Sequence, residues 1–467
     1  MDCASEVQCG AAIIGSECAH HDPFVFTSAS PCMVTVGSEA FDCVRRQGRL
    51  HAQSLSFAGI SSFDVPHRFQ VARELLLETR DLLIGRADSL SADWALARGW
   101  ADYLRALSDE ALTSADTLGI AKWFLADADC PASLRDLAAR VEAFCVLPRW
   151  QAPQEPAANW PATHARKRQQ IEAVLHVLGA FYPRLSQLVD VGAGRGQLTT
   201  RAARALSVPG LGLERDPERV AVARLLAGDA QVEFLAMDVL AARPMPMEGL
   251  ASGSACLLMA LHGCGELGDA LVREAVARSA HVMLLACCPQ KIRGHERASL
   301  VGAGPILPKA VLGLANVLSR TAGIEGTLVS ELATKEARLA LRHLFEARGV
   351  TVLAGEEMRG VNRRKVHAGL PKLAQAACRA RGLADPSESE LRAAACYAHH
   401  RYQAQRRLSL PRSMLGRALE IFLALDRAMF LLAAGYEVRV LELFPVEVSP
   451  RNVALLGVSK PTAIRPP

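Results

Sequence analysis

Apolar residues recur at helical spacing through 65–144. In Arg68-Phe69-Gln70-Val71-Ala72-Arg73-Glu74-Leu75-Leu76-Leu77 they mix with charges at that period, and similar runs return over 94–107 and 134–144. Pro148, Pro153, Pro156 and Pro161 then break the chain in quick succession, which reads as a linker. Beyond them the pattern changes to alternating helix and strand. Residues 167–182 are helical, and Leu188-Val189-Asp190-Val191 is a short strand running into a glycine turn. A helix over 199–206 leads to a second strand, Gly210-Leu211-Gly212-Leu213-Glu214, and then to a helix over 217–226 with Pro217 in its first turn. Val232-Glu233-Phe234-Leu235-Ala236 is a third strand, and 255–261 and 281–286 are a fourth and fifth with a helix between them. This alternation predicts a mostly parallel sheet with helices on both faces.

Residues 290–411 read as helix-rich, with strand character only near 350–353. A long amphipathic helix over 413–434 follows, then strands over 436–443 and 453–458. A helix and a hairpin are what an unfinished sheet still needs, so 290–411 is predicted to be an insertion into the sheet domain. The strand near Leu441 is expected beside the strand near Leu284. The predicted fold is α/β: a Rossmann-like, doubly wound, mostly parallel sheet with an antiparallel closing hairpin, preceded by a helical N-terminal domain. Its expected parts are an irregular leader over 1–50, the helical domain over 51–146, a Pro-rich linker over 147–163, and the sheet domain with its insertion over 164–460.

Composition refines this picture in three places. At 467 residues, 50% hydrophobic and 22% charged, the chain is long enough for two or three globular domains. The net charge is only +5, yet 291–417 holds 22 Lys and Arg against 10 Asp and Glu, and the remainder is net acidic. A basic segment in an acidic protein suggests a polyanionic partner, the alternative being an Arg-rich solvated helical surface. The thirteen cysteines are scattered, which fits reduced thiols in a cytoplasmic protein. Cys3, Cys9, Cys18, Cys32 and Cys43, with His20 and His21, show no C-x2-C or H-x3-H pair, so no metal site is predicted. The start lacks a basic, apolar leader, and Asp2 and Glu6 speak against a mitochondrial presequence. The apolar run over 418–434 contains Glu420, Asp426 and Arg427 and is too short to span a bilayer, so no membrane association is expected.

The candidate chemistry begins at Asp190-x-Gly192-x-Gly194-x-Gly196, between a strand and a helix. The glycines let the backbone turn tightly and approach a ligand. A dinucleotide fingerprint needs glycine where Gln197 stands, and an acid opening the loop suits the ammonium of a methionine moiety better than a pyrophosphate. Glu214 ends the second strand, where a carboxylate can accept both ribose hydroxyls, and Asp238 follows the third, within reach of an adenine amino group. Three acids in order at the C-terminal ends of consecutive strands point to S-adenosyl-L-methionine. On the acceptor side stand Leu261-His262-Gly263-Cys264-Gly265 and Cys287-Cys288-Pro289-Gln290. His262 is a candidate base, or else a hydrogen-bonding partner of the backbone or the cofactor. Cys264, Cys287 and Cys288 are either small buried residues or include a nucleophile.

Lys167-Arg168-x-x-Ile171-Glu172, the glycine loop, Leu261-His262-x-Cys264-Gly265-x-Leu267-x-Asp269 and Cys287-Cys288-Pro289 together resemble one family. It is the class I S-adenosylmethionine-dependent methyltransferase domain of methyltransferase-like proteins and of the glutathione-S-transferase-C-terminal-domain-containing protein. The L-H-x-C-G loop is also similar to that of tRNA 2′-O-methyltransferases carrying a CHHC finger, although no such finger is recognisable here. The likeness covers roughly 165–289, and 358–457 more loosely. It implies a methyltransferase, with RNA as the candidate substrate. In the basic segment Arg363, Arg364, Lys365, Arg406 and Arg407 are the candidate phosphate contacts, with Tyr397 and Tyr402 interleaved for base stacking. A non-catalytic protein that binds S-adenosylmethionine and RNA is one alternative. A protein or small-molecule methyltransferase is the other.

Overall fold

The computed structural model describes residues 63–85, 93–151, 165–182, 184–228, 230–241, 255–318, 325–353 and 355–460. The expected leader and the Pro-rich linker beyond Gln151 lie outside them. Seven helices open the described chain: α1 (Val65–Glu78), α2 (Arg80–Ile84), α3 (Asp93–Ala97), α4 (Ala101–Ala106), α5 (Asp109–Leu118), α6 (Ile120–Ala126) and α7 (Ala132–Cys145). Side-chain caps set two of their starts. Asp64 accepts from the His67 amide at 3.0 Å and Ser108 from the Ala111 amide at 3.1 Å.

The alternating region follows as α8 (Ala165–Phe181), β1 (Gln187–Val191), α9 (Gln197–Leu206), β2 (Gly210–Glu214), α10 (Pro217–Ala227), β3 (Val232–Ala236), β4 (Cys256–Leu261), α11 (Glu266–Arg278) and β5 (His281–Leu285). A two-stranded ladder, β6 (Glu296–Arg297) with β7 (Leu307–Pro308), leads into α12 (Lys309–Leu312), α13 (Ala315–Leu318), α14 (Glu325–Ala347), α15 (Leu370–Arg379) and α16 (Glu388–Met414). Finally α17 (Gly416–Ala433), β8 (Glu437–Glu442) and β9 (Val453–Val458) complete the sheet. Its order is β3-β2-β1-β4-β5-β9-β8, with β1 to β5 parallel and β9 antiparallel to both neighbours. The order reverses between β1 and β4, the switch point at which open parallel sheets bind ligands.

The closing hairpin joins this sheet, but not in the expected order. Leu284 pairs with Leu455, and Leu441 pairs with Ala454 one strand further out. The reason lies in the two strands themselves. Val453–Val458 is apolar on both faces and buried, as a strand inside a sheet must be. Glu437–Glu442 keeps Glu437, Arg439 and Glu442 half-buried among its buried apolar positions, as an edge strand does. That edge is covered in part by the chain leaving α7: Trp150 N–H donates to Glu442 O at 2.8 Å and Glu442 N–H to Pro148 O at 2.8 Å.

The N-terminal helices do not keep a core to themselves. Phe69 stacks on Phe422 of α17 with ring centroids 5.5 Å apart, and one continuous apolar cluster joins α1–α7 to α17 and one sheet face. The basic insertion has a core of its own from α14, α15 and the first half of α16, including Leu341, Phe345, Leu373, Ala377 and Ala398. No helix among the described residues is long and apolar enough to cross a membrane.

Candidate active site

The loop after β1 holds Gly192 at φ +83°, Gly194 at φ +62° and Gly196 at φ +70°, the left-handed region that glycine adopts without penalty. Their surroundings divide their roles. A Cβ on Gly194 would meet nothing within 4 Å, so that backbone faces open space. A Cβ on Gly196 would strike the Phe234 ring and lie 3.0 Å from Ala223 Cβ, so Gly196 lets α9 close against the sheet. Glu214 Oε2 accepts from the Gly194 amide at 3.0 Å and Oε1 from the Asp216 amide at 3.1 Å, which fixes the carboxylate beside the loop.

Asp190 is 2% exposed, and among the described residues its side chain's one hydrogen bond is from Thr199 Oγ1 to Oδ2 at 2.7 Å. Burial pushes its pKa up to about 6, against the opposing effects of Thr199 and the Lys167 cation. A buried carboxylate with an oxygen to spare, beside glycine backbone with free space, suits the ammonium and sulfonium of S-adenosyl-L-methionine. Asp238 sits further out. It accepts from the Leu240 amide at 3.0 Å and lies 3.6 Å from Arg293, with its side chain about half exposed.

The Asp190 pKa makes a testable demand. A carboxylate raised to about 6 is ionised only above that pH, and only the ionised form attracts a cation. Cofactor affinity measured by calorimetry between pH 5 and 7 should therefore fall by about tenfold per pH unit below 6. Asp190→Asn should bind weakly with no step near pH 6. A flat wild-type profile over that range would remove Asp190 from the cofactor site.

On the other side of the switch point, β4 and β5 run in parallel register with Leu261 opposite Leu285. The two loops that follow therefore leave the sheet side by side. His262 has φ +74°, unusual for a residue with a Cβ, and its amide donates to Leu285 O at 2.8 Å. Burial, then the Lys167 and Arg451 cations, lower its pKa to about 4, so the imidazole is neutral at pH 7. Cys264 Sγ lies 3.1 Å from His262 O and 2.8 Å from Cys287 Sγ, and Cys264, Cys287 and Cys288 have their sulfurs within 4.8 Å of one another. The Cys264 thiol is lowered by its bond with Cys287, with help from Lys291, while Cys287 is raised.

Sequence reasoning attaches no role to two residues of this site. Arg451 is 9% exposed and donates to Asn316 Oδ1 at 2.6 Å and Asn316 O at 3.4 Å, and Asn316 in turn bonds Gln290 of the loop after β5. Lys167, on α8, has its pKa lowered by burial against the pull of Asp190. Lys167 stands inside the family motif with no role attached to it there, and Arg451 reads as part of a turn beside Pro450.

Of the expected phosphate contacts, Arg406 and Arg407 are engaged inside the fold. Lys365 is exposed, and the side chains of Arg363 and Arg364 lie outside those described. Arg406 pairs with Asp116, and Arg407 with Asp109 and Leu107 O, tying α16 to the N-terminal helices. Tyr402 is buried, and Tyr397 stacks on His343 at 3.8 Å between centroids. Helical periodicity shows which face carries charge, not that acidic helices about 290 residues earlier will meet it.

Residues 166–295, from α8 to the start of the β6–β7 ladder, match the family model described as a methyltransferase domain. No curated protein matches the chain. Among solved structures, the S-adenosylmethionine-dependent methyltransferase SibL in its apo form is similar at 16% identity. That match covers 41% of this chain and 57% of SibL, with a TM-score of 0.21. Coclaurine N-methyltransferase bound to N-methylheliamine and SAH is similar at 11% identity, over 81% of this chain and 94% of that one, with a TM-score of 0.24. With scores this low neither likeness bears on the substrate. The matched segment, the sheet order and the acid-flanked glycine loop define the class: an S-adenosylmethionine-dependent methyltransferase domain, with S-adenosyl-L-methionine as its cofactor.

Proposed function

We propose that this chain methylates RNA, with Arg451 and Lys167 receiving an acceptor phosphate beside His262. The observation that carries the proposal is Arg451. Its guanidinium is buried near the substrate end of the sheet, its partners are the neutral oxygens of Asn316, and it has no carboxylate partner among the described residues. A desolvated cation without a counter-ion is costly, and a planar guanidinium fits phosphate oxygens well. An anion docked against Arg451 and Lys167 offsets the two charges that depress His262, so the imidazole becomes a better base as the acceptor seats. The cofactor supplies an electrophilic methyl group. His262 is then the group that takes the proton from an acceptor hydroxyl or ring atom. Exposed Arg359, Lys365 and Lys372 make no ion pair among the described residues and offer further phosphate contacts on the insertion. The likeness of the L-H-x-C-G loop to the tRNA 2′-O-methyltransferases supports the same acceptor class. Arg406 and Arg407 do not belong to this set, because Asp116 and Asp109 already hold them.

Incubating the full chain with labelled S-adenosylmethionine and separate RNA, protein and metabolite fractions tests this directly. Label in RNA is expected, and label confined to protein or metabolites overturns it. Losing one charged hydrogen-bond partner costs about 1.5–3 kcal/mol, so Arg451→Met should lower RNA methylation by about tenfold to a hundredfold with cofactor affinity retained. RNA binding should weaken steeply with salt. Changing Arg359, Lys365 and Lys372 to Gln should lower the log–log slope by roughly one for each phosphate no longer neutralised.

A further inference from the structure

We propose that Cys264, Cys287 and Cys288 bind a zinc ion through their three sulfurs, beside the acceptor end of the sheet. The inference is independent of whether RNA is the acceptor. It starts from the register of β4 and β5, which sends the 262–266 and 286–291 loops out as neighbours. The backbone then latches them together. Glu266 N–H donates across to Lys291 O at 3.2 Å, and within the second loop Lys291 N–H donates to Cys288 O at 3.1 Å, closing its turn. Gly265, at φ +51°, lies so close to the other loop that a Cβ there would overlap the Lys291 carbonyl. The sulfurs are thus gathered by fixed backbone.

The three sulfurs, all half-buried, lie within 4.8 Å of one another. Beyond one another, Cys264 and Cys287 share one carbonyl, His262 O, at 3.1 and 3.8 Å, and Cys264 also meets the Cys288 backbone. Cys264 and Cys287 also stand 2.8 Å apart, closer than two thiols rest comfortably. A tetrahedral zinc ion with Zn–S bonds of about 2.3 Å holds its sulfurs roughly 3.8 Å from each other, so an opening of about 1 Å turns a crowded contact into a ligand set. Three sulfur donors with no carboxylate in the cluster select zinc over the hard cations. On binding, each thiol that is still protonated releases its proton to solvent as its Zn–S bond forms. Three protein ligands leave the fourth position to water or to the acceptor, the arrangement of catalytic rather than structural zinc sites.

The test is the metal content of the full chain, purified without chelator from zinc-replete cells. Because the leader carries five more cysteines, the readout is the difference between variants. Cys264→Ser and Cys287→Ser should each hold one zinc equivalent less than wild type, and Cys396→Ser, an exposed cysteine outside the cluster, should lose none. Circular dichroism melting establishes that the variants are folded. Should they fail to fold, titrating wild type with a mercurial in the presence of a zinc indicator should release one equivalent as the cluster's thiolates are consumed. Equal zinc in wild type and in folded cluster variants overturns the proposal. So does an absence of releasable zinc, or a zinc-free protein two hydrogens lighter whose Cys264 and Cys287 peptides are linked.

Discussion

Asp269→Ala should destabilise the fold by about 3–5 kcal/mol, because it takes from the buried Arg427 guanidinium its hydrogen-bonded carboxylate and leaves buried Arg297 with Asp426 alone. Asp269 Oδ2 and Oδ1 accept from Arg297 Nε at 2.8 Å and Nη2 at 3.0 Å, and Oδ1 also accepts from Arg427 Nε at 2.8 Å. Arg297 continues to Asp426 at 2.8 Å, and Asp426 accepts from the Leu300 amide at 3.0 Å. All four charged side chains are under one-tenth exposed. The network has no reserve to absorb the loss, since Arg297 Nη1 already lacks a hydrogen-bond partner. It also joins three parts of the fold: α11, the start of the insertion and α17. Arg427 Nη2 reaches Gly265 O at 3.1 Å, so the loop carrying His262 and Cys264 is held by the same group of charges. A drop of the urea or thermal midpoint is the measurement. Arg392→Ala, which removes an exposed pair with Glu388 within α16, should change stability by no more than about 0.5 kcal/mol and is the control.

The same network sets an acid limit. Arg427 and Arg297 lower the Asp269 pKa to about 2, against the opposing pull of burial. A depressed carboxylate stabilises the fold fully above its unfolded pKa and loses that contribution as pH falls through the folded value. Asp269 therefore supports the fold fully above about pH 4, the ordinary carboxylate range, and ceases to do so near pH 2. An unchanged midpoint in Asp269→Ala would mean that the guanidinium groups find water or other partners at no cost.

The parallel half of the sheet is legible in the sequence because each β-α unit announces itself locally. β1 and β2 read as short apolar runs carrying an acid near or at their ends, and the helices after them open with glycine or Asp-Pro. Strand order in the closing hairpin is legible in principle, since Val453–Val458 is apolar throughout while Glu437–Glu442 is interrupted by Glu437, Arg439 and Glu442. Order along the chain points the other way, and the burial contrast is the physically stronger of the two signals. What no local pattern carries is the partner of a face. The apolar stripe of α1 could as well close a separate domain, and only Phe69 against Phe422 shows that it packs on α17. The same holds for Arg406 and Arg407, whose partners lie about 290 residues away. The cysteine cluster is a further case, because its members come from two strand ends, with Cys264 and Cys287 separated by 23 positions. Short metal-ligand spacings arise within one loop, and a site built across parallel strands has none to show.

Gly194 and Gly196 look alike in the motif, yet Gly194→Asp and Gly196→Ala should fail in opposite ways. At Gly194 a side chain enters open space, so the fold bears only the left-handed backbone, a cost of about 1–2 kcal/mol that Asp meets better than most residues. The new carboxylate, however, projects into the space beside Glu214 that the cofactor needs, and its bulk and charge oppose the ligand's approach. Affinity for S-adenosylmethionine should fall by about a hundredfold or more, taking one charged hydrogen bond removed plus a clash at about 3 kcal/mol, while the melting temperature moves little. At Gly196 the added methyl group meets the Phe234 ring and Ala223, so α9 has to shift off the sheet. Overpacking of that kind costs about 1–3 kcal/mol, to which the positive φ adds. Gly196→Ala should therefore melt several degrees lower and lose cofactor affinity only as far as the displaced loop carries Gly194 with it. Calorimetry and thermal melting on both variants separate the two roles. Near wild-type affinity in Gly194→Asp would mean that the open space beside that glycine is not where the cofactor lies.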